Sequence, residues 1–445
     1  MKMSRIVTGE GQKLYQEAKK IIPGGTQLLS KRPEMFLPEL WPAYYSKAKG
    51  CKVWDMDGRE YTDVSYMGIG ANVLGYANDE VDDSAREAIA NGGMCTLNAP
   101  EEVYVAQELL RIHPWAGGVR YAKAGGEAMA LAARIVRAYT QKDIILFCGY
   151  HGWHDWYLSA NLSNKNALND QHIAGLEPLG VPAGLAGTNL PFHYNCIEEF
   201  EALLKKNEGK IAAVIMEPIR NDYPENGFLE KIRQATAAEG IVLVFDEITA
   251  GFRLCVGGSH KVLGVEPDMA VFAKGMTNGY PLSAIVGKKD IMEAAQGTFI
   301  SSTFYTERIA FAATLKSIEL YQKYRVWEKQ IAYGEIVQDG WKKLGEKNGL
   351  NVEVGGIAPL GHFGIVGKEK PLVYKTFFTQ EMLKRGYLAS TAFYTTMAHS
   401  EEIIKTYLEN VDEVFAKIAA INESNGTVEA ALEGPVCHSG FGRLL

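Results

Sequence analysis

The chain has 445 residues, of which 47% are hydrophobic, and 46 lysines and arginines stand against 53 aspartates and glutamates for a formal charge of −7. That length and apolar content are enough for two or three packed lobes and exclude disorder as the main state. The net negative charge gives no general attraction to nucleic-acid phosphates or anionic lipid, so a small soluble molecule is the expected partner, with no nucleic acid and no membrane.

Taken in chain order, Gln12 to Ile22 has helical spacing and stops at Pro23-Gly24-Gly25, after which Pro33, Pro38 and Pro42 hold the chain in loops. Lys52-Val-Trp54 and Glu60 to Val64 flank Asp55-Met-Asp-Gly58 and predict a hairpin in a small N-terminal sheet. From about residue 80, helical stretches alternate with short apolar runs, the pattern of an α/β fold with a mostly parallel sheet. The predicted helices are Glu101 to His113, Glu127 to Thr140 and Leu229 to Glu239; the predicted strands are Val119 to Ala122, Ile144 to Cys148, Ile211 to Met216, Ile241 to Phe245 and Met269 to Ala273. Beyond Arg308 a helix runs to about Arg325, followed by a mixed region and a last helix, Glu401 to Ile421, together a separate α+β lobe. The six cysteines are widely spaced without a CxxC pair, the first twenty residues hold no apolar signal core, and 18 consecutive apolar residues occur nowhere, which predicts a cytoplasmic protein with reduced thiols.

Ligands of an open α/β sheet collect beyond the carboxyl ends of its strands, so the residues after each apolar run carry the functional expectation. After Val119 to Ala122 stand Gly125 and Gly126 at the opening of a helix, either a phosphate cup or an ordinary glycine turn. After Ile144 to Cys148 stands Gly149-Tyr-His-Gly-Trp-His-Asp-Trp156, an aromatic loop suited to one face of a planar ring; His151 and His154 lack the partner pair that a zinc site needs. Glu217 follows Ile211 to Met216 and Asp246 follows Ile241 to Phe245, each an acid at a low-dielectric edge that requires a partner. For Asp246 an ion pair with Arg253 and a magnesium site are the alternatives, the latter weakened because no GxxxxGK[ST] loop occurs. Lys274 follows Met269 to Ala273, where desolvation would lower its pKa and make the neutral amine nucleophilic; the bland alternative is a solvated loop lysine.

These residues occur in Gly50-Cys-Lys-Val-Trp-Asp-Met-Asp-Gly58, Ala124-Gly-Gly-Glu-Ala128, Tyr150-His-Gly152, Glu217-Pro218, Phe245-Asp-Glu-Ile248, Gly251-Phe-Arg253, Pro267-Asp268, Lys274-Gly275, Gly279-Tyr-Pro281 and Ser302-Thr-Phe304. In that order the chain resembles, over nearly its whole length, the class III pyridoxal-phosphate (PLP) aminotransferases of fold type I, in the branch of the glutamate-1-semialdehyde aminomutases. The resemblance implies a large domain at 66–310 with a mostly parallel sheet of seven-stranded type, and a smaller α+β domain built from 1–65 and 311–445. It also implies a homodimer with shared active sites and pyridoxal 5′-phosphate as cofactor. Lys274 looks like the lysine that carries the cofactor as a Schiff base, Asp246 like the acid beside the ring nitrogen, and Tyr150 like the aromatic stacked on the ring. Gly125 and Gly126 match the phosphate cup, Thr303 the threonine offered to the neighbouring subunit's phosphate, and Glu217 a second acid near the ring.

The phosphate cup of that family often carries a hydroxyl residue where this chain has Gly126. Tyr394 aligns with the glutamate of the aminomutases, and the segment after Gly25 reads Thr26-Gln-Leu-Leu-Ser-Lys-Arg32. Both departures favour an aminotransferase with separate amino donor and carbonyl acceptor over an aminomutase that exchanges the groups within one molecule. A catalytically silent binding protein on the same scaffold is the rival from another class. Arg32 and Arg253 are the candidate clamps for a substrate carboxylate.

Overall fold

The structure is a computed structural model that describes residues 5–424 and 426–442. The outermost residues of the segments expected at 1–65 and 311–445 lie outside it. The chain divides into two compact units, Met1–Asn78 with Glu328–Leu445, and Asp79–Trp327. The divisions fall later than 65/66 and 310/311: Tyr76 pairs back with Gly50 of the first unit, and helix Arg308–Lys323 packs on two helices that follow Asn78.

The first unit opens with α1 (Glu10–Ile21), then β1 (Tyr45–Lys49), β2 (Lys52–Asp55) and β3 (Glu60–Asp63). β2 and β3 are the predicted hairpin, antiparallel, with Gly58 supplying the turn's positive φ of 78°.

The second unit holds α2 (Asp79–Ala90), α3 (Glu101–Ile112), β4 (Gly118–Ala122), α4 (Gly125–Thr140), β5 (Ile144–Cys148), β6 (Asn189–Pro191), β7 (Ile211–Met216), β8 (Val242–Asp246), β9 (Met269–Phe272) and β10 (Ser283–Gly287). The sheet has seven strands in the order β4-β10-β9-β8-β7-β5-β6, with β10 antiparallel to both neighbours and the other pairs parallel. Because β10 reverses between them, β4 and β9 run the same way. The carboxyl ends of β4, β5, β7, β8 and β9 therefore share one edge. All residues of β7, β8 and β9 are buried, as helices on both faces require.

The chain re-enters the first unit within helix Val326–Lys347 and adds β11 (Asn351–Gly355), β12 (Leu360–Val366), helix Pro371–Leu383, β13 (Tyr387–Leu388), β14 (Ala392–Tyr394) and helix Glu401–Glu423. β13 extends the N-terminal sheet alongside β3, while β11, β12 and β14 form a separate three-stranded sheet. Their common core includes Trp341, Phe363, Phe378, Tyr407 and Phe415. No helix among the described residues is long and apolar enough to cross a membrane.

Candidate active site

Five strand ends deliver their loops to one edge of the large sheet, and the chemistry-bearing residues sit there. Asp246 is the last residue of β8 and is 3% exposed; one carboxylate oxygen accepts from the N–H of Ile248 at 3.0 Å. Its other oxygen lies 2.8 Å from Nδ1 of the buried His151. The opposite nitrogen of His151 stands 3.1 Å from the Cys148 carbonyl, which can only accept. That nitrogen carries a proton, so the contact between Nδ1 and the acceptor-type carboxylate contains a second one. Asp246 thus has a proton-sharing histidine behind it rather than an ion pair with Arg253. Arg253, 1% exposed, donates from Nε to the Thr249 carbonyl at 3.2 Å.

Lys274 stands two residues beyond the end of β9, the strand beside β8. Its φ of 45° lies in the left-handed region, which costs a non-glycine residue about 1 kcal/mol and is commonest where function demands it. Nζ donates to Thr249 Oγ1 at 2.9 Å. Burial is the main force lowering its pKa to about 8, helped by the charges of Arg220 and Arg253 and opposed by Glu217 and Asp246. A substantial neutral fraction follows near neutrality, which an ordinary solvated lysine lacks.

Glu217 follows β7 and is 7% exposed. It accepts from the backbone N–H of Tyr150 at 3.1 Å and from Arg220 at 2.9 Å. It thereby ties the β5 and β7 loops together. Arg220 also donates to Nε2 of His172 at 2.8 Å. The half-buried Tyr150 ring meets Tyr157 edge-on at 5.9 Å, and burial raises the pKa of its hydroxyl. A small cavity lined by Gly149, His172, Tyr194, Glu217 and Arg220 opens beside this pair.

Gly125 and Gly126 are the first two residues of α4, and Glu127 caps the turn by accepting from the N–H groups of Lys123 and Ala124 at 3.0 and 3.3 Å. Gly152, at φ 98°, approaches so closely that a Cβ there would lie 2.8 Å from the Gly126 Cα. The β5 loop and the amino end of α4 can meet only with glycine at that place. Two expected residues remain, Thr303 and Arg32. Thr303 is exposed in the short turn Thr303–Thr306, and Arg32 belongs to the first unit, where it donates to the Gly442 carbonyl at 2.9 Å. Among the described residues no group of three His, Cys, Asp or Glu side chains is arranged to hold a metal ion.

The partners that the sequence did not disclose are His151 for Asp246, Thr249 for Lys274, and Arg220 with His172 for Glu217. The Tyr-His-Gly triplet was visible, but its histidine's partner lies 95 residues away and no local spacing points to it.

Comparison with known proteins matches residues 38–420 to the model of the family "Aminotransferase class-III". Over 418 residues the chain is 31% identical to a 3-aminobutyryl-CoA aminotransferase of Cloacimonas acidaminovorans, covering 91% of this chain and 96% of that one. It is 32% identical to a glutamate-1-semialdehyde 2,1-aminomutase of Neisseria meningitidis serogroup C, covering 92% and 99%. Among solved structures, the PLP internal aldimine form of the FumI protein from Sphingopyxis sp. MTA144 superimposes with a TM-score of 0.84 at 25% identity, over 94% of this chain and 98% of that one. With its fold type I architecture and the lysine and aspartate at adjacent strand ends, this chain belongs to the class III aminotransferases, a family of PLP-dependent enzymes.

Proposed function

We propose that the enzyme transfers an amino group from a donor amino acid to a separate carbonyl acceptor, with Lys274 and Asp246 as its catalytic pair. The observation that carries this reading is the largely buried Lys274 amine, with its pKa lowered to about 8, beside a strand that ends in the His151-backed Asp246. The residues present fit PLP. A phosphate suits the bare glycine start of α4, a pyridine nitrogen suits Asp246, an aldehyde suits the Lys274 amine, and the Tyr150 ring is placed to cover one face. When bound, PLP supplies a ring that accepts the electron pair left by a broken Cα–H bond.

The chain's own residues supply the rest. Asp246, sharing a proton with His151, holds a proton at the ring nitrogen. The Lys274 amine, once free, would take a proton from the substrate carbon and return it to the cofactor's aldehyde-derived carbon on the other side of the shared nitrogen, with Thr249 Oγ1 fixing the amine's resting position. Glu217 keeps the Tyr150 loop in register. Arg253, fully buried and bonded to backbone, is better suited to holding the Thr249 turn than to meeting a substrate carboxylate. Arg32 remains the other candidate clamp.

Tyr394 supports transfer between molecules over exchange within one. It ends β14, and its ring meets Tyr66 edge-on at 5.2 Å, so an aromatic surface stands where the aminomutases have a carboxylate. Nitrogen tracing decides between them. With an ¹⁵N-labelled donor in steady state, label is expected in the aminated product, with ping-pong kinetics. Full conversion of a single aminoaldehyde with no external label would establish the aminomutase instead.

A homodimer with shared active sites is part of the same proposal. Its support is the exposed Thr303 between Phe299 and Phe304, which are 86% and 62% exposed in the single chain and call for cover. Thr303→Ala is expected to release PLP several-fold faster on dialysis, and dilution below the dimer dissociation constant to release it as well. Retention unchanged in both experiments would remove Thr303 from the site. A cytoplasmic location is supported by the six cysteines, all of which are free thiols.

A further inference from the structure

His154 stands at a corner of the site that the chemistry above does not use. It precedes the short helix Asp155–Leu158, and its ring stacks on Trp153 with centroids 4.3 Å apart and planes 26° from parallel. Its Nδ1 is buried with no hydrogen-bond partner, a condition that native proteins rarely leave without a reason. That nitrogen faces the start of α4, since a Cβ built on Gly126 would lie 3.4 Å from it. The first-turn N–H groups of this 16-residue helix have no intrahelical acceptor, so the imidazole nitrogen and the helix amides border the same small space.

The acids nearby are accounted for. Glu127 is occupied on both oxygens, accepting from Tyr305 Oη at 2.8 Å and from the N–H groups of Lys123 and Ala124. Glu127 and Asp155 favour a proton on His154, while burial, the larger influence, opposes it. A dianionic group at the head of α4 would act in the same sense as those carboxylates.

We propose that His154 is a phosphate ligand of the cofactor, donating from Nδ1 beside the amino end of α4 at the place a hydroxyl side chain on residue 126 would reach. The glycine at 126 and the histidine at 154 then form one device. A side chain at 126 would start at ordinary contact distance from the imidazole, so the ring stands beside the place where a hydroxyl would be offered and replaces the donor that glycine lacks.

This inference rests on the assignment of PLP, and the test separates the two. Equilibrium binding of PLP and of pyridoxal, which lacks the phosphate, is measured for the wild type, His154→Phe, His154→Gln and the double variant His154→Phe/Gly126→Ser. Phenylalanine keeps the stack on Trp153 and removes the donor. The dissociation constant for PLP is expected to rise about tenfold or more in His154→Phe, as for loss of a hydrogen bond to a charged group, with pyridoxal binding unchanged. His154→Gln, which keeps an N–H donor, should lose less, and Gly126→Ser should restore most of what His154→Phe loses. Equal weakening of PLP and pyridoxal, no weakening at all, or failure of both glutamine and serine to recover PLP would overturn the proposal and leave His154 a packing residue. A wild-type protein that binds neither molecule would refute the cofactor assignment itself.

Discussion

Replacing Lys274 by alanine is expected to lower turnover by about 10⁴-fold or more while leaving PLP bound through its phosphate and ring contacts. Lys274 is the lysine beyond β9 whose Nζ meets Thr249, so its removal takes away that amine. The protein should remain folded. The unfolded chain holds the lysine proton up to its ordinary pKa of about 10.4, whereas the folded state releases it near 8. Burial of this amine therefore costs stability at neutral pH, and that cost shrinks as pH rises from 8 towards 10. Lys274→Ala should leave the denaturation midpoint at pH 7 unchanged or raise it. A variant with near-normal turnover, or one that is markedly unstable, would remove Lys274 from its role.

The same shift predicts a reactivity profile that requires no substrate. In cofactor-free protein, labelling of Lys274 by an amine-selective reagent should rise with pH through about 8 and then level off. An inflection at the solvated-lysine value would show that the amine is not desolvated in solution.

Asp246→Asn is expected to lower turnover by roughly 10³-fold, with a much smaller loss of PLP affinity. The amide fits the same space at the end of β8 but carries no charge to keep the ring nitrogen protonated. It also changes what His151 faces: with the Cys148 carbonyl held by one ring nitrogen, the other can bond an amide oxygen only as a donor. Turnover and affinity are read separately, by steady-state kinetics at saturating PLP and by equilibrium titration. Equal and modest losses in both would mark Asp246 as a structural acid.

The sequence by itself determined the elements whose pattern is local. β5, β7, β8 and β9 were legible within a residue because each is a short apolar run between polar turns, and Asp246 and Lys274 could be singled out because they end such runs. The N-terminal hairpin was legible from Asp57-Gly58, since the glycine supplies the positive φ that the turn between two short strands requires. Helix Pro371–Leu383 was not, because ten of its thirteen residues are buried, polar Thr376, Thr379, Gln380 and Glu381 among them, and a helix buried on nearly every side shows no 3.6-residue apolar stripe to detect. β10 was not either: it is missing from the predicted strands, and it becomes a strand because β4 and β9 leave an antiparallel slot between them. The tertiary structure alone decided who meets whom. His151 with Asp246, Gly152 against Gly126, and His154 facing the head of α4 are contacts between loops from different strand ends. Hydrophobic periodicity fixes where a strand stops, but the order in which strands assemble decides which stops become neighbours, and that order depends on packing across the whole sheet.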